Sequence, residues 1–351
     1  MAGLRFANQG QAFSPLLQAV EDRLQEMASD QAGALGVYAG HVIRAGGKRL
    51  RPLLVILCSG INDPACQPLI DIAAAAELIH TASLIHDDIL DQAATRRGVP
   101  TLNRLQGNHT AVLAGDLLFA TAFGLLARGH CPGALAVMTD AIRDMCRAEI
   151  EQKEALFQFS VTESMYLSRI EKKTASLLAA CCSAGALAGG LSPEAVASLA
   201  AYGRNLGLCF QITDDLLDFT GDSSALGKPA GSDLAQGILT LPVIYLLNNT
   251  AFEQGSEMAF ERSPAPFPDQ ARLQEIARQA PRPEGTRRRG CNRYDQDYIK
   301  QAVCNTPALN LAYRKALFFA REAAGYLDEF APETRRASLL GLVDQVLQRH
   351  H

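Results

Sequence analysis

The chain contains the same acidic pattern twice, and this repetition is its most constraining feature. Each copy reads D-D-x-x-D and lies inside an apolar stretch whose hydrophobic residues recur at helical spacing. Residues four apart share one face of a helix, so each copy should form a ledge of carboxylates about one turn long. The members of the two ledges are Asp87, Asp88 and Asp91 in ledge 1, and Asp214, Asp215 and Asp218 in ledge 2.

Three acids at this spacing repel one another unless a cation lies between them. Mg²⁺ prefers oxygen ligands, and it commonly uses a few carboxylates together with the phosphates of a substrate. One copy of the pattern could equally be a solvated helix face. Two copies within apolar helices favour a cation site of the trinuclear type, which would bind a diphosphate.

Composition favours helices over strands throughout the chain. Hydrophobic residues make up 48% of the 351 residues, aromatic residues only 6%, and tryptophan is absent. Alanine and leucine dominate, and no segment shows convincing strand alternation. We therefore predict an all-α single domain of ten or more helices over residues 1–351, with both ledges on central helices. The net charge of −4 provides no basic footprint for nucleic acid.

The sequence carries the expected features of a reduced, cytoplasmic protein. Its nine cysteines are scattered and form no C-x-x-C pair, which is typical of core thiols. We find no signal peptide and no run of about 18 uninterrupted apolar residues, so we expect no transmembrane span. Residues 255–297 are rich in proline and arginine and predict a mobile loop excursion around one short helix at 269–279.

Several cations and polar residues are placed to bind an anion near the ledges. The turn at 46–52 places Lys48 and Arg51 after two glycines, although it could also be a solvent-facing helix start. His80 lies two turns before Asp87 and should face ledge 1, although a lone histidine on an apolar face is often a core residue. A buried lysine near 172–173 would need an anionic partner.

These motifs resemble those of the trans-isoprenyl diphosphate synthases, the head-to-tail prenyltransferases. The resemblance covers nearly the whole chain. The matching segments are G-G-K-R-L-R-P (46–52), H-T-A-S-L-I-H-D-D-I-L-D (80–91), R-R-G (96–98), E-I-E-Q (149–152), K-T-A (173–175), F-Q-I-T-D-D-L-L-D (210–218), G-K-P (227–229) and D-L-A-Q-G-I-L-T-L-P (233–242). The resemblance implies an isoprenoid-synthase-type helical bundle around a central cavity.

The resemblance also implies a role for each matching residue. The implied Mg²⁺ ligands, for three ions with Mn²⁺ as an alternative, are Asp87, Asp88, Asp91, Asp214 and Asp218, with Asp215 supporting ledge 2 indirectly. The implied contacts to the allylic diphosphate are Arg96, Lys173, Thr174, Gln211 and Lys228. The implied contacts to isopentenyl diphosphate are Lys48, Arg51, His80 and Arg97. The implied partners are a second copy of the chain or a small subunit, with transient membrane association for a lipid product.

The length of the product should depend on the depth of the cavity behind ledge 1. Short-chain members carry a bulky aromatic residue four or five positions before the first aspartate, where this chain has Ser83 and Ala82. One helical turn is about 5.4 Å long, roughly one isoprene unit, so we predict a product of about thirty to fifty carbons. Phe119 and Phe123 are candidates for the cavity floor or ordinary core residues. Ile238 stands where many members have lysine.

Other functions are also compatible with parts of the sequence. A shorter product of the farnesyl or geranylgeranyl class is one alternative. A class I terpene cyclase or a head-to-head synthase also ionises diphosphates, but it needs no second diphosphate site such as Lys48, Arg51 and His80 would form. A partner-dependent subunit of a heteromeric synthase is an alternative of another class, although such subunits usually lack some of the six aspartates.

Overall fold

The computed structural model describes residues 13–30, 34–44, 47–96, 98–129, 131–221, 231–248, 269–279, 293–328 and 333–348. These ranges are almost wholly helical, which confirms the predicted all-α fold of ten or more helices. The helices are α1 (Ser14–Asp30), α2 (Ala34–Arg44), α3 (Leu50–Ser59), α4 (Gln67–Leu90), α5 (Leu102–Arg128), α6 (Pro132–Glu154), α7 (Glu163–Ile170), α8 (Ser176–Ala188), α9 (Pro193–Thr220), α10 (Ser232–Gln236), α11 (Leu241–Asn248), α12 (Gln270–Gln279), α13 (Arg293–Cys304), α14 (Ala308–Gly325) and α15 (Glu333–Leu347). A five-residue π-helix, Glu171–Ala175, joins α7 to α8.

The two ledges lie on central helices, as predicted. Helix α4 packs most extensively on α5 and also contacts α3 and α8, while α9 packs on α8 and α14. The run Ala73–Ala76 of α4 is fully buried, and its small side chains allow neighbouring helices to approach closely. Ledge 1 ends α4, and ledge 2 lies in the last turns of α9.

Local sequence signals set the start of α9. The hydroxyl of Ser192 accepts a hydrogen bond from the backbone N–H of Ala195, Pro193 occupies the first turn, and Glu194 follows. A capping serine, an early proline and an acid in the first turn each favour a helix start. The cap sets the first residue of α9, the helix that carries ledge 2 in its last turns.

The expectation that the chain has no strands was wrong in one place. Thr95–Arg96 and Val99–Pro100 pair as two short antiparallel strands, β1 and β2. Gly98, whose φ is +81°, lies between them and allows the tight reversal. The hydroxyl of Thr101 donates to the carbonyl of Ala93 at 2.6 Å and closes the hairpin at its base.

The described residues of the predicted excursion at 255–297 are mainly helical. Helix α12 confirms the short helix expected at 269–279, within one residue. Helix α13 begins at Arg293, so the last residues of the predicted loop are helical. Its buried side chains, Asp295, Ile299 and Val303, follow a four-residue spacing that anchors it to the core. Residues 255–268 and 280–292 lie outside the described residues.

Among the described residues, two helices are long and apolar enough to cross a membrane by length and composition alone. The apolar window of α4 is 78% buried inside the protein, whereas that of α5 is only 39% buried. A buried core helix passes the same test, so α4 needs no membrane to explain its composition. Helix α5 is different, because it leaves an apolar face uncovered.

Candidate active site

A pocket of about 560 Å³ opens beside the end of α4. Asp91 lines it from α4, and Glu149 and Gln152 line it from α6. Gln236, the last residue of α10, and Ile238, just after it, line another wall. Asp91 is therefore the member of ledge 1 that lines this pocket, and Ile238 presents an apolar side chain to it.

The aspartates of ledge 1 face two different environments. Asp91 is exposed and Asp87 is half-buried. The pKa of Asp87 is raised to about 6, first by burial and then by the charges of Glu149 and Asp91, while Lys173 and Arg96 oppose the rise. Neighbouring negative charges that disfavour an ionised carboxylate also stabilise a cation bound beside it.

Asp88 is buried and has a partner of its own. Its Oδ1 accepts a hydrogen bond from Nε of Arg96 at 2.8 Å, across the β1–β2 hairpin. Adjacent residues on a helix differ in direction by about 100°, so Asp87 and Asp88 cannot face the same side. The predicted metal ligand Asp88 and the predicted substrate contact Arg96 are thus held together in this structure.

The π-helix presents the predicted Lys173 to the same region. Nζ of Lys173 lies 2.5 Å from Oε1 of Glu149 and 3.4 Å from Oε1 of Gln152. Its neighbour Lys172 bonds Glu151 at 2.7 Å instead. Both lysines are half-buried rather than buried, and each pairs with a carboxylate. π-Helical turns occur frequently at functional sites, because the extra residue redirects side chains.

A hydrogen-bonded chain supports ledge 2 through Asp215. Its Oδ2 accepts from the Tyr166 hydroxyl and its Oδ1 accepts from Nε2 of Gln211, both at 2.7 Å. Oε1 of Gln211 accepts from the Thr174 hydroxyl at 2.7 Å. Burial, with the charge of Asp233, raises the pKa of Asp215 to about 7, although the bonds from Tyr166 and Gln211 lower it. The buried position of Asp215 agrees with an indirect role.

The outer aspartates of ledge 2 are more accessible. Asp214 is exposed and Asp218 is half-buried. The carboxylate of Asp218 accepts from the Ser232 hydroxyl at 3.0 Å, and its second oxygen accepts from the N–H of Asp233 at 3.3 Å. Asp218 therefore fixes the start of α10, which leads to Gln236 and Ile238 in the pocket wall.

One predicted contact to the second substrate shares a narrow pocket with a member of ledge 1. His80 lines this pocket together with Asp88 and Arg96. Lys48 is exposed and Arg51 is half-buried at the start of α3. The remaining predicted contacts, Arg97 and Lys228, lie outside the described residues.

The residues predicted to control product length lie between α4 and α5. Ala82 is fully buried and Ser83 is half-buried, with its hydroxyl bonded to the His80 carbonyl at 2.9 Å. The rings of Phe119 and Phe123 stack with centroids 6.4 Å apart, both half-buried. Phe119 packs against the core, as the ordinary-core alternative expects, and its role in product length stays a prediction.

Three residues of the site were missed by sequence reasoning. Tyr166 is fully buried and bonds Asp215. Arg169 lies over its ring at 5.7 Å and donates to the carbonyl of Leu239 at 2.7 Å. Arg49 anchors the turn before α3. The only local signal for Tyr166 and Arg169 in the sequence was their spacing of three residues, which places them on one helix face.

The donor set fits a divalent cation that is completed by substrate. Among the described residues, no group of three or more histidine, cysteine, aspartate or glutamate side chains lies close enough to hold a metal by itself. Mg²⁺ usually binds through one or two carboxylates plus substrate phosphates rather than in an all-protein cage. Oxygen ligands at Asp87, Asp91 and Asp214 suit that mode, and all three are at least partly accessible.

Comparisons with known proteins agree with this chemistry. Residues 34–277 match the family model described as Polyprenyl synthetase. A relative from Geobacillus stearothermophilus, named heptaprenyl diphosphate synthase component 2, is 45% identical over 66% of this chain and 73% of its own length. A prenyl transferase from Synechocystis sp. is 35% identical over 97% of this chain and 98% of its own. The crystal structure of a decaprenyl diphosphate synthase from Rhodobacter capsulatus superposes with a TM-score of 0.83, at 30% identity and 99% coverage of both chains.

These comparisons confirm the family that the sequence motifs indicated. The family model spans well over half of the chain, and the similarity to the Synechocystis protein runs almost from end to end. The structure contains the features on which the resemblance depended. These are the two ledges, the lysine of the π-helix and the helical fold. The chain belongs to the polyprenyl synthetase family and is a prenyltransferase.

Proposed function

We propose that the protein condenses isopentenyl diphosphate head-to-tail with an allylic diphosphate, releasing pyrophosphate and forming a longer polyprenyl diphosphate. The observation that carries this proposal is the pair of carboxylate ledges, of which ledge 1 reaches a pocket through Asp91. Glu149 lines the same pocket and pairs with Lys173. The allylic diphosphate lies at ledge 1, with Arg96 and Lys173 as its cationic contacts. Isopentenyl diphosphate lies at Lys48, Arg51 and His80.

Mg²⁺ fits this arrangement, with Asp87, Asp91 and Asp214 as its best-placed protein ligands. When bound, Mg²⁺ neutralises the charge that develops on the departing pyrophosphate. Arg96 and Lys173 share that task as fixed cations. Asp215, held by Tyr166 and Gln211, keeps ledge 2 in position. The apolar wall at Ile238 excludes water, which would otherwise capture the allylic cation as an alcohol.

A direct assay tests the reaction. The purified full chain is supplied with Mg²⁺, isopentenyl diphosphate and, in turn, dimethylallyl, geranyl and farnesyl diphosphate. We expect release of pyrophosphate together with linear polyprenyl products, and no turnover when Mg²⁺ is chelated. A cyclised product, or pyrophosphate release without isopentenyl diphosphate consumption, would contradict the proposal.

The product belongs to the long-chain class, of about thirty to fifty carbons at one unit per helical turn of open cavity. Ala82 and Ser83 are small at the positions where short-chain members carry a bulky aromatic residue, which supports this class. The names of the relatives from Geobacillus stearothermophilus and Rhodobacter capsulatus, heptaprenyl and decaprenyl synthase, support the same class.

Ala82→Phe should shorten the product by one or more isoprene units, because a ring at this buried position fills the space between α4 and α5. Chromatography of the dephosphorylated products measures the change. Ala197→Phe is the matched control, since it makes the same substitution at an exposed position near the start of α9. It should leave product length unchanged. An unshortened product from a folded Ala82→Phe variant would refute the cavity model.

The protein acts as a homodimer through α5. Val112 and Leu113 are each more than 40% exposed on this helix, and Leu105, 48% exposed, lies before its non-helical residue Gly107. Large apolar side chains exposed together on one helix favour a protein interface. A second copy of α5 is the occupant that matches it, because an isologous interface brings the same patch from both chains together.

Leu113→Arg should convert the dimer to a monomer, because it places an unpaired charge in an apolar interface. Sedimentation velocity measures the mass. Met165→Arg is the control, because Met165 is similarly exposed but lies on α7. Its variant should sediment with the wild type. A monomeric wild-type protein would contradict the homodimer.

A heteromeric synthase is the second candidate, and the name "component 2" of the Geobacillus stearothermophilus relative favours it. In that case the apolar face of α5 would bind a small partner subunit. The two candidates differ in the activity of the pure chain. Turnover by the chain alone favours the homodimer, whereas activity restored only by a second protein favours the heteromer.

A further inference from the structure

The cationic turn before α3 contains an arginine whose guanidinium pairs with carboxylates on two other helices. Arg49 lies between Lys48 and α3, and it adopts a left-handed backbone conformation with φ 50° and ψ 34°. Residues with a side chain rarely adopt this conformation, because Cβ approaches the following carbonyl. A conformation of this kind persists only when surrounding contacts impose it.

The contacts that impose it come from three other segments. The guanidinium of Arg49 pairs with both carboxylate oxygens of Glu21 on α1. Its Nη1 donates to Oε1 of Glu77 on α4 at 2.9 Å, and Nη2 donates to the Ile43 carbonyl of α2 at 3.3 Å. The side chain of Arg49 is 16% exposed and that of Glu77 is 6% exposed, so this ion pair is shielded from water.

Glu77 links this anchor to the pocket that contains His80. The two residues are three apart on α4 and line the same narrow pocket. The second oxygen of Glu77, Oε2, is buried and accepts no hydrogen bond from any described residue. Arg49 donates a hydrogen bond to the other oxygen of this carboxylate. The pair ties the turn that carries Lys48, and the start of α3 that carries Arg51, to the helix that carries His80.

We infer that Arg49 is a positioning residue for isopentenyl diphosphate. It keeps Lys48 and Arg51 close enough to His80 for all three side chains to bind one diphosphate. This inference rests on the proposed function, because that function places isopentenyl diphosphate at these three residues. The allylic diphosphate lies at ledge 1 and the π-helix, which Arg49 does not contact. Loss of the anchor therefore affects one substrate and spares the other.

Two substitutions separate the backbone from the anchor. Arg49→Gly accepts the left-handed conformation without strain but removes every side-chain contact. Arg49→Lys keeps the charge but loses the fork that reaches Glu21 and Glu77 together. For Arg49→Gly we expect the KM for isopentenyl diphosphate to rise about ten-fold or more, with the allylic KM and kcat changing less than about two-fold. Arg49→Lys should lie between this variant and the wild type.

Arg23→Lys is the matched control. Arg23 on α1 pairs with Asp71 on α4 at 2.7 Å, with side chains 17% and 9% exposed. This second ion pair joins the same two helices at similar burial but does not touch the turn. Its loss should lower stability without changing either KM. Circular dichroism and thermal unfolding of all three variants identify any that fail to fold.

The outcomes distinguish this inference from the proposed function. An inactive wild-type chain, with and without candidate partners, would remove the proposed function itself. An active wild type with an unchanged KM for isopentenyl diphosphate in Arg49→Gly would overturn the role of Arg49 alone. Equal rises of both KM values, or the same rise in Arg23→Lys, would reduce Arg49 to a purely structural residue. If Arg49→Gly does not fold, Arg49→Lys carries the same test.

Discussion

Asp87→Asn should lower turnover about a thousand-fold or more, because it removes one negative charge at the place where ledge 1 meets Lys173 and Glu149. Asparagine has nearly the same shape as aspartate but is a much weaker ligand for Mg²⁺. The measurement is pyrophosphate release at saturating substrates, repeated over a series of Mg²⁺ concentrations. We expect the residual activity to need more Mg²⁺ than the wild type does.

The same substitution should leave the fold intact. Burial raises the pKa of Asp87 to about 6, which means that its charged form is destabilised in the folded protein. A neutral amide relieves that cost, so thermal unfolding should occur at or above the wild-type temperature. Asp140→Asn is the control, because its side chain is 60% exposed on α6 and pairs only with Arg143 in the neighbouring turn. Asp87→Asn activity within ten-fold of the control would contradict the role of ledge 1.

Arg335→Met should produce the largest loss of stability, about 3–5 kcal/mol. Arg335 lies on α15, is 1% exposed, and donates to the carbonyls of Ile56, Leu57 and Ile61 at the end of α3. Its guanidinium also lies 4.9 Å from the centre of the Phe13 ring. Methionine fills the volume but leaves several buried carbonyl groups without a donor, and each of these is costly.

Arg336→Met provides the comparison for this prediction. Arg336 is the next residue, its side chain is 30% exposed, and it pairs with Asp328 at 3.2 Å. A surface pair of this kind contributes about 0–1 kcal/mol. Urea denaturation at one fixed protein concentration measures both variants, because dimerisation would otherwise shift the midpoint. Equal midpoints for the two variants would show that the α3–α15 contact contributes no more than a surface ion pair.

The fold was predictable because its helices carry strong local signals. The apolar periodicity of α4 and α9, and the serine and proline that start α9, are visible in the sequence. The short strands of the hairpin were missed because two residues per strand leave no alternation to detect. The start of α13 inside the predicted loop was missed because prolines and arginines upstream masked its amphipathic spacing.

The site was predictable only where its residues follow one another along a helix. The spacing of Asp87 and Asp91 was sufficient to place a carboxylate ledge. The partnership of Asp215 with Tyr166 was not, because 49 residues separate them and only tertiary packing brings them together. The separate direction of Asp88 follows from the 100° step between adjacent helical residues. The ion pair of Asp88 with Arg96 depends on the hairpin, which could not be predicted from the sequence.

Two cations of the site already have carboxylate partners in this structure. Arg96 pairs with Asp88, and Lys173 pairs with Glu149. A diphosphate that engages these cations replaces a resident carboxylate at each one, so its measured affinity is a difference between two sets of contacts. The displaced carboxylates do not leave with solvent, as free counterions would, because they are tethered to α4 and α6. Under the proposed function, the return of these carboxylates to Arg96 and Lys173 assists product release.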